Sequence, residues 1–182
     1  MIRTFKEAWA LMESKGYQYG DDALDGVRLG WDLARGKYDS ERPTWPETWM
    51  QTAWTMAYRS YDPRLQVGAI VVSDDNTTML AVGYNGNYKG GPHEHESPEP
   101  GKSGFIHAEI NALVKCDYNF PKKKHMYVTH SPCRDCAKLI INADIVHVVY
   151  QVQYRDPSGL DLLRSAGIEV LSIEEAIIKA RR

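Results

Sequence analysis

The chain has 182 residues, 43% of them apolar and 25% charged, with a formal net charge of −2. That length suits one domain with a modest appendage, and the near-neutral charge argues against a nucleic-acid or membrane-surface partner. No stretch approaches the ~18 apolar residues of a membrane span, Met1-Ile2-Arg3-Thr4-Phe5 begins no signal peptide, and three cysteines cannot build a disulfide framework, so a reducing cytoplasm is expected.

All five tryptophans fall within the first 54 residues. Phe5, Trp9 and Met12 recur at helical spacing, as do Leu24, Val27, Trp31 and Ala34, with Gly16 and Gly20 between the two runs. Residues 3–35 therefore read as a helical hairpin, and the charged, proline-bearing stretch from Gly36 to Pro46 as a boundary. This divides the chain into an N-terminal extension, 1–43, and a main domain, 44–182.

Beyond the boundary, helices and strands alternate. Pro46-Glu47 opens a helix that stops before Asp62-Pro63, with Trp49, Ala53, Met56 and Ala57 on its apolar face. Val67 to Val72 and Met79 to Val82 read as strands joined by the turn Ser73-Asp74-Asp75-Asn76. A helix is expected over Ile106 to Cys116, a strand over Met126 to Thr129 and a helix over Cys133 to Asn142. A strand from Ile145 to Val152, a helix from Leu160 to Ala166 and a strand from Ile168 to Leu171 follow. Ser172 then caps a closing helix whose first turn carries Glu174 and Glu175. The alternation predicts an α/β fold, a mostly parallel sheet with helices on both faces. Lys122-Lys123-Lys124 reads as a solvated loop, and Gly90 to Gly104, which holds His93 and His95, as a flexible one. His125, His130 and His147 read as ordinary strand histidines with satisfied hydrogen bonds.

The chemistry concentrates in His107-Ala108-Glu109 and Pro132-Cys133-Arg134-Asp135-Cys136. One imidazole and two thiolates supply three zinc ligands. The open fourth position distinguishes a catalytic zinc, which holds water, from a closed structural one. Both segments fall at helix starts, where the dipole and free N–H groups lower thiol pKa values. The pattern H-x-E…P-C-x-x-C is a known signature of zinc-dependent nucleobase deaminases. In that chemistry zinc brings the pKa of its water toward ~7. Glu109 carries the water's proton to N3 of a cytosine while C4 is attacked, and then protonates the departing ammonia. A structural zinc needs a fourth ligand, for which Cys116 is the candidate. At about 100° per residue, Cys116 lies half a turn out of phase with His107 and reads as a small buried hydrophobe.

The sequence resembles the deoxycytidylate (dCMP) deaminase family from about Trp45 to Leu171. The resemblance rests on Arg59-Ser60-Tyr61-Asp62-Pro63-Arg64-Leu65-Gln66-Val67-Gly68, on Gly83-Tyr84-Asn85-Gly86, on His107 to Ala112, and on Met126 to Lys138. It implies a three-layer α/β/α sandwich around a five-stranded mixed sheet, cytidine deaminase-like, carrying the N-terminal helical extension. It implies one zinc per chain on His107, Cys133 and Cys136, with Glu109 as proton shuttle. It also places Asn85 at the sugar, Ala108 and Ser131 at the base, Tyr154 near the substrate, and Arg59 and Ser60 near the phosphate. The implied activity is hydrolysis of dCMP to dUMP and ammonia, supplying thymidylate synthesis in the cytoplasm, or in a host cytoplasm if the chain is phage-encoded. Family members that are hexamers responsive to dCTP and dTTP make those nucleotides candidate effectors, and a homo-oligomer, hexamer or dimer, the candidate assembly. The loop 87–105 and residues 1–43 depart from the family pattern. The competing readings are a deaminase of dCTP, 5-substituted dCMP, cytidine or a base in nucleic acid, and a zinc-stabilised binding module without turnover.

Overall fold

Near-continuous apolar runs such as Ala69-Ile70-Val71-Val72 place apolar side chains on both faces of a strand, so both faces must be covered. The computed structural model describes residues 42–99, 102–117 and 119–182, and shows how this is met. Helix α1 (Trp45–Ala57) is followed by strands β1 (Gly68–Ser73) and β2 (Met79–Tyr84), helix α2 (Ala108–Leu113) and strand β3 (Lys124–His130). Helix α3 (Arg134–Asn142), strand β4 (Ile145–Val152), helix α4 (Ser158–Ser165), strand β5 (Glu169–Ser172) and helix α5 (Ile173–Ala180) complete the chain. The five strands form one sheet in the order β2-β1-β3-β4-β5.

The two-residue period of the strands sorts side chains into two cores. Ala69, Val71, Met126, Val128, Val148 and Val170 meet α2, α3 and α4 through Ala108, Ala112, Ala137, Ile140, Leu160 and Leu163. Ile70, Val72, Tyr127 and Val149 meet α1 and α5 through Trp49, Met50, Ala53, Trp54, Ile173 and Ala176. The result is the expected α/β/α sandwich on a five-stranded mixed sheet. Full burial of one such aliphatic side chain is worth roughly 1.5–3 kcal/mol, so the strands hold both helical layers.

The expectation of a mostly parallel sheet needs correction. β1 pairs antiparallel with both β2 and β3, whereas β3–β4 and β4–β5 are parallel. The cause is connection length. The tight turn after β1 can only return the chain antiparallel, while α3 and α4 provide the crossovers that parallel neighbours need.

Element ends follow local chemistry. Thr44 and Glu47 form a capping box on α1, and Ser172 and Glu175 form another on α5. Helix α2 is shorter than expected, six residues ending before Cys116. Lys124 is a second correction. Lys122 and Lys123 are exposed, but Lys124 opens β3 and is only 2% exposed, because pairing with Ser73 and Ile145 draws it into the sheet. The expected hairpin over 3–35 lies outside the described residues. Among the described residues no helix is long and apolar enough to cross a membrane.

Candidate functional site

The carboxyl end of β3 leads directly into Ser131-Pro132-Cys133, the kind of place where open α/β sheets bind ligands. Cys133 is the N-cap of α3, and His107 is the N-cap of α2. His107 makes no side-chain capping bond to its own helix, and the Cys133 thiol meets Cys136 and His107. Two extended N-cap residues thus keep their side chains free to turn toward each other. Cys136, three residues into the α3 segment, joins them from the first turn and is 1% exposed.

The three donors converge. His107 Nδ1, Cys133 Sγ and Cys136 Sγ all lie within 4.8 Å of one another. His107 Nδ1 is 3.2 Å from Cys136 Sγ and 3.5 Å from Cys133 Sγ. A tetrahedral zinc with bonds of about 2.0 Å to nitrogen and 2.3 Å to sulfur requires N···S edges near ~3.6 Å. The donor set therefore fits zinc in both chemistry and size. His107 is exposed and Cys133 half-buried, so the cluster is open on one side.

Its electrostatics are those of a group of donors sharing protons. A hydrogen bond from Cys136, supported by one from His107, holds the Cys133 thiol down at about 4. The same bond, together with burial, pushes Cys136 up. The hydrogen bond to Cys133 raises His107 against the partial desolvation of its ring. A metal ion must displace these protons, and its affinity falls as pH falls.

Glu109 is 4% exposed in the first turn of α2. Burial raises its pKa, opposed by the charge of His107 and by a hydrogen bond from the Cys136 thiol. Its carboxyl group therefore lies against the metal-ligand cluster, as a buried acid positioned to exchange a proton there.

The remaining expected residues surround this centre in two groups. Buried Ser131 donates its N–H to the Val152 carbonyl at 2.8 Å, and its Oγ accepts the N–H of half-buried Tyr154 at 2.7 Å. Ala108 is fully buried directly after His107. In the second group, Asn85 Oδ1 accepts the Val67 N–H at 2.8 Å. Asn85 Nδ2 donates to the Leu65 carbonyl at 2.8 Å and to Asp62 Oδ2 at 3.3 Å. Ser60 Oγ accepts the Asp62 N–H at 3.1 Å. A bridge between Gly86 and Ile106 connects this network to the residue before His107. Arg59 is exposed at the end of α1, outside the network.

Asp62 and His95 are partners that sequence reasoning missed. Asp62 is buried, and its Oδ1 accepts the N–H groups of Arg64 and Leu65 and that of His95 Nε2 at 3.0 Å. His93 stacks on Tyr61 with centroids 3.9 Å apart, and Arg64 donates to the carbonyls of Ser97, Pro98 and Glu99. The stretch 93–99 is thus fastened to 61–64, not loose as its composition suggested. Asp-Pro followed by two free N–H groups signals an Asx-type turn, but nothing local points to His95. Cys116 lies outside the metal cluster and packs half-buried against the first core.

Comparison with known proteins agrees with this geometry. Residues 43–152 match the family model described as the cytidine and deoxycytidylate deaminase zinc-binding region. ComE operon protein 2 of Bacillus subtilis is 38% identical over 141 residues, covering 74% of each chain. Human deoxycytidylate deaminase is 38% identical over 114 residues, covering 58% of this chain and 64% of its own. The crystal structure of dCMP deaminase from cyanophage S-TIM5 in complex with dCMP and dUMP superposes with a TM-score of 0.63 at 36% identity, covering 72% of this chain and 98% of that one.

Proposed function

Since the chain belongs to the cytidine and deoxycytidylate deaminase family, we propose that it hydrolyses dCMP to dUMP and ammonia. The observation that carries this is the buried Glu109 carboxyl group hydrogen-bonded beside a three-donor cluster with an open side. His107, Cys133 and Cys136 hold the zinc. When bound, zinc supplies a water acidified toward ~pH 7. Glu109 accepts a proton from the attacking water and delivers it to N3 as C4 becomes tetrahedral. It then passes the second proton to the amine at C4, the C–N bond breaks, and ammonia leaves. Burial raises its pKa, which suits both roles, because a weaker carboxylic acid is a better base for the water's proton and can still return it.

The substrate contacts belong to the same proposal. Ser131 receives the Tyr154 N–H, which leaves its O–H to donate to the base, with the Ala108 backbone beside it. Asn85 uses both of its amide N–H groups on the 62–65 turn and keeps one oxygen lone pair for a sugar hydroxyl. Arg59 and Ser60 serve the phosphate, and Tyr154 closes over the substrate. Residues 44–182 form the catalytic domain and 1–43 an N-terminal extension. Cytoplasmic location, homo-oligomer formation and control by dCTP and dTTP complete the reading.

The test is ammonia release by zinc-loaded protein from dCMP, deoxycytidine, dCTP and a cytosine-containing oligonucleotide, with and without added dCTP or dTTP. Preference for dCMP supports the proposal. Preference for another substrate keeps the chemistry and overturns the substrate. Turnover of none leaves a zinc-stabilised binding module.

A further inference from the structure

We propose that Gly83 and Gly159, neither of which touches the metal, are positioning residues that set the spacing of the zinc ligands. Each packs its backbone against one ligand-bearing turn. A Cβ on Gly159 would stand 2.0 Å from the Pro132 carbonyl oxygen and 2.8 Å from the Cys133 carbonyl carbon. A Cβ on Gly83 would stand 2.1 Å from the Ala108 carbonyl oxygen and 2.4 Å from the Ala112 nitrogen. Both glycines are buried, and the atoms they meet are backbone, which cannot swing aside as a side chain can.

Local preference opposes both residues. Gly159 in the first turn of α4 is a poorer helix former than alanine, and glycine inside β2 weakens the strand. Neither has a positive φ that would require it. Close approach of neighbouring backbone is what remains to explain them. The surrounding bonds show that this approach is held tight. Asn111 Nδ2 donates to the Tyr84 carbonyl at 2.9 Å and Lys115 Nζ to the Val82 carbonyl at 3.0 Å, clasping α2 and the turn after it onto β2 on either side of Gly83. At the other seat, the Cys133 carbonyl accepts the Ala137 N–H at 2.9 Å, the bond that starts α3. A methyl group at either position forces its neighbour back by roughly 1 Å. Metal ligands tolerate about 0.2 Å, so the displacement acts directly on the donor triangle.

Gly68 provides a matched contrast. A Cβ there would stand 1.9 Å from the Ala53 carbonyl oxygen, an equally severe clash, but it presses on α1, which carries no zinc ligand. The variants Gly83→Ala, Gly159→Ala and Gly68→Ala should all lower Tm. Zinc affinity, measured by competition with a chromophoric chelator, should fall at least about tenfold in the first two and stay at the wild-type value in Gly68→Ala. The visible bands of the Co2+-substituted protein, which report tetrahedral geometry, should change in the same two variants alone. Folded Gly83→Ala or Gly159→Ala protein with wild-type affinity and spectrum overturns the inference, as does equal loss in Gly68→Ala.

If the substituted chains do not fold, hydrogen exchange on the wild-type chain decides. Zinc removal should speed amide exchange at Ala112 and Ala137 and leave Ala57 unchanged; equal change at all three, or none, overturns it. The inference rests on His107, Cys133 and Cys136 holding zinc. A wild-type chain that takes up no zinc refutes that premise, whereas a variant with unaltered affinity refutes only the positioning role.

Discussion

Two polar clusters occupy opposite ends of one sheet, and both are built on histidines. At the carboxyl end of β3, His107 faces two thiols across an open side, and its pKa is raised by hydrogen bonding to Cys133. At the amino ends of the parallel strands, His125, His147 and Glu169 lie in register across β3, β4 and β5. There the His125 and His147 rings meet edge to face at 5.0 Å, and Asn76 accepts from His125 and from the Tyr127 hydroxyl. Burial holds His147 down at about 4, and its Nε2 has no hydrogen-bond partner among the described residues, contrary to the expectation of an ordinary satisfied histidine. Glu169 stands 4.0 Å away and hydrogen-bonds Lys179 instead. The donors of the first cluster converge on a point, while those of the second are absorbed by packing. Perturbed titration marks both clusters, and only the converging geometry marks a site.

The largest expected effect breaks the first cluster's chemistry and leaves its geometry. Glu109→Gln should keep about one zinc per chain while kcat falls at least ~10²-fold. Unchanged turnover would remove Glu109 from the mechanism. Cys136→Ser should instead lose zinc and activity together, read by metal analysis of the purified protein.

The second cluster should respond to pH through stability and leave zinc content unchanged. The unfolded chain protonates His147 near 6.5, while the folded chain keeps it neutral down to about 4. Its contribution is thus complete above pH 6.5 and declines as pH falls toward 4, by up to about 3 kcal/mol. Urea titrations across that range should show the slope in the wild-type chain and a shallower one in His147→Leu. Equal slopes would show that other groups control the acid limb.

A smaller effect sharpens the boundary of the first cluster. His95→Ala leaves buried Asp62 without its imidazole hydrogen-bond donor and frees 93–99 from the Asn85 network. KM for dCMP should rise about tenfold with kcat changed less; a fall in kcat alone would place the loop's role in the chemistry. The smallest effect is expected from deletion of residues 1–43, which should alter assembly or solubility and leave zinc near one per chain, measured by size-exclusion chromatography and metal analysis.

Much of this was legible from residue order alone. Cys133 and Cys136 share a helical turn through their spacing, His107 and Glu109 through theirs, and short apolar runs bounded by turn residues located the strands. These features follow from covalent neighbours and helical or strand periodicity, which any chain with this order carries wherever it folds. Only the tertiary structure decided that β1 runs antiparallel to β3, that Lys124 is buried, and that His95 closes on Asp62. It alone also seated the two ligand turns against Gly83 and Gly159. Each of these depends on segments distant in sequence meeting at one distance, which no local pattern encodes.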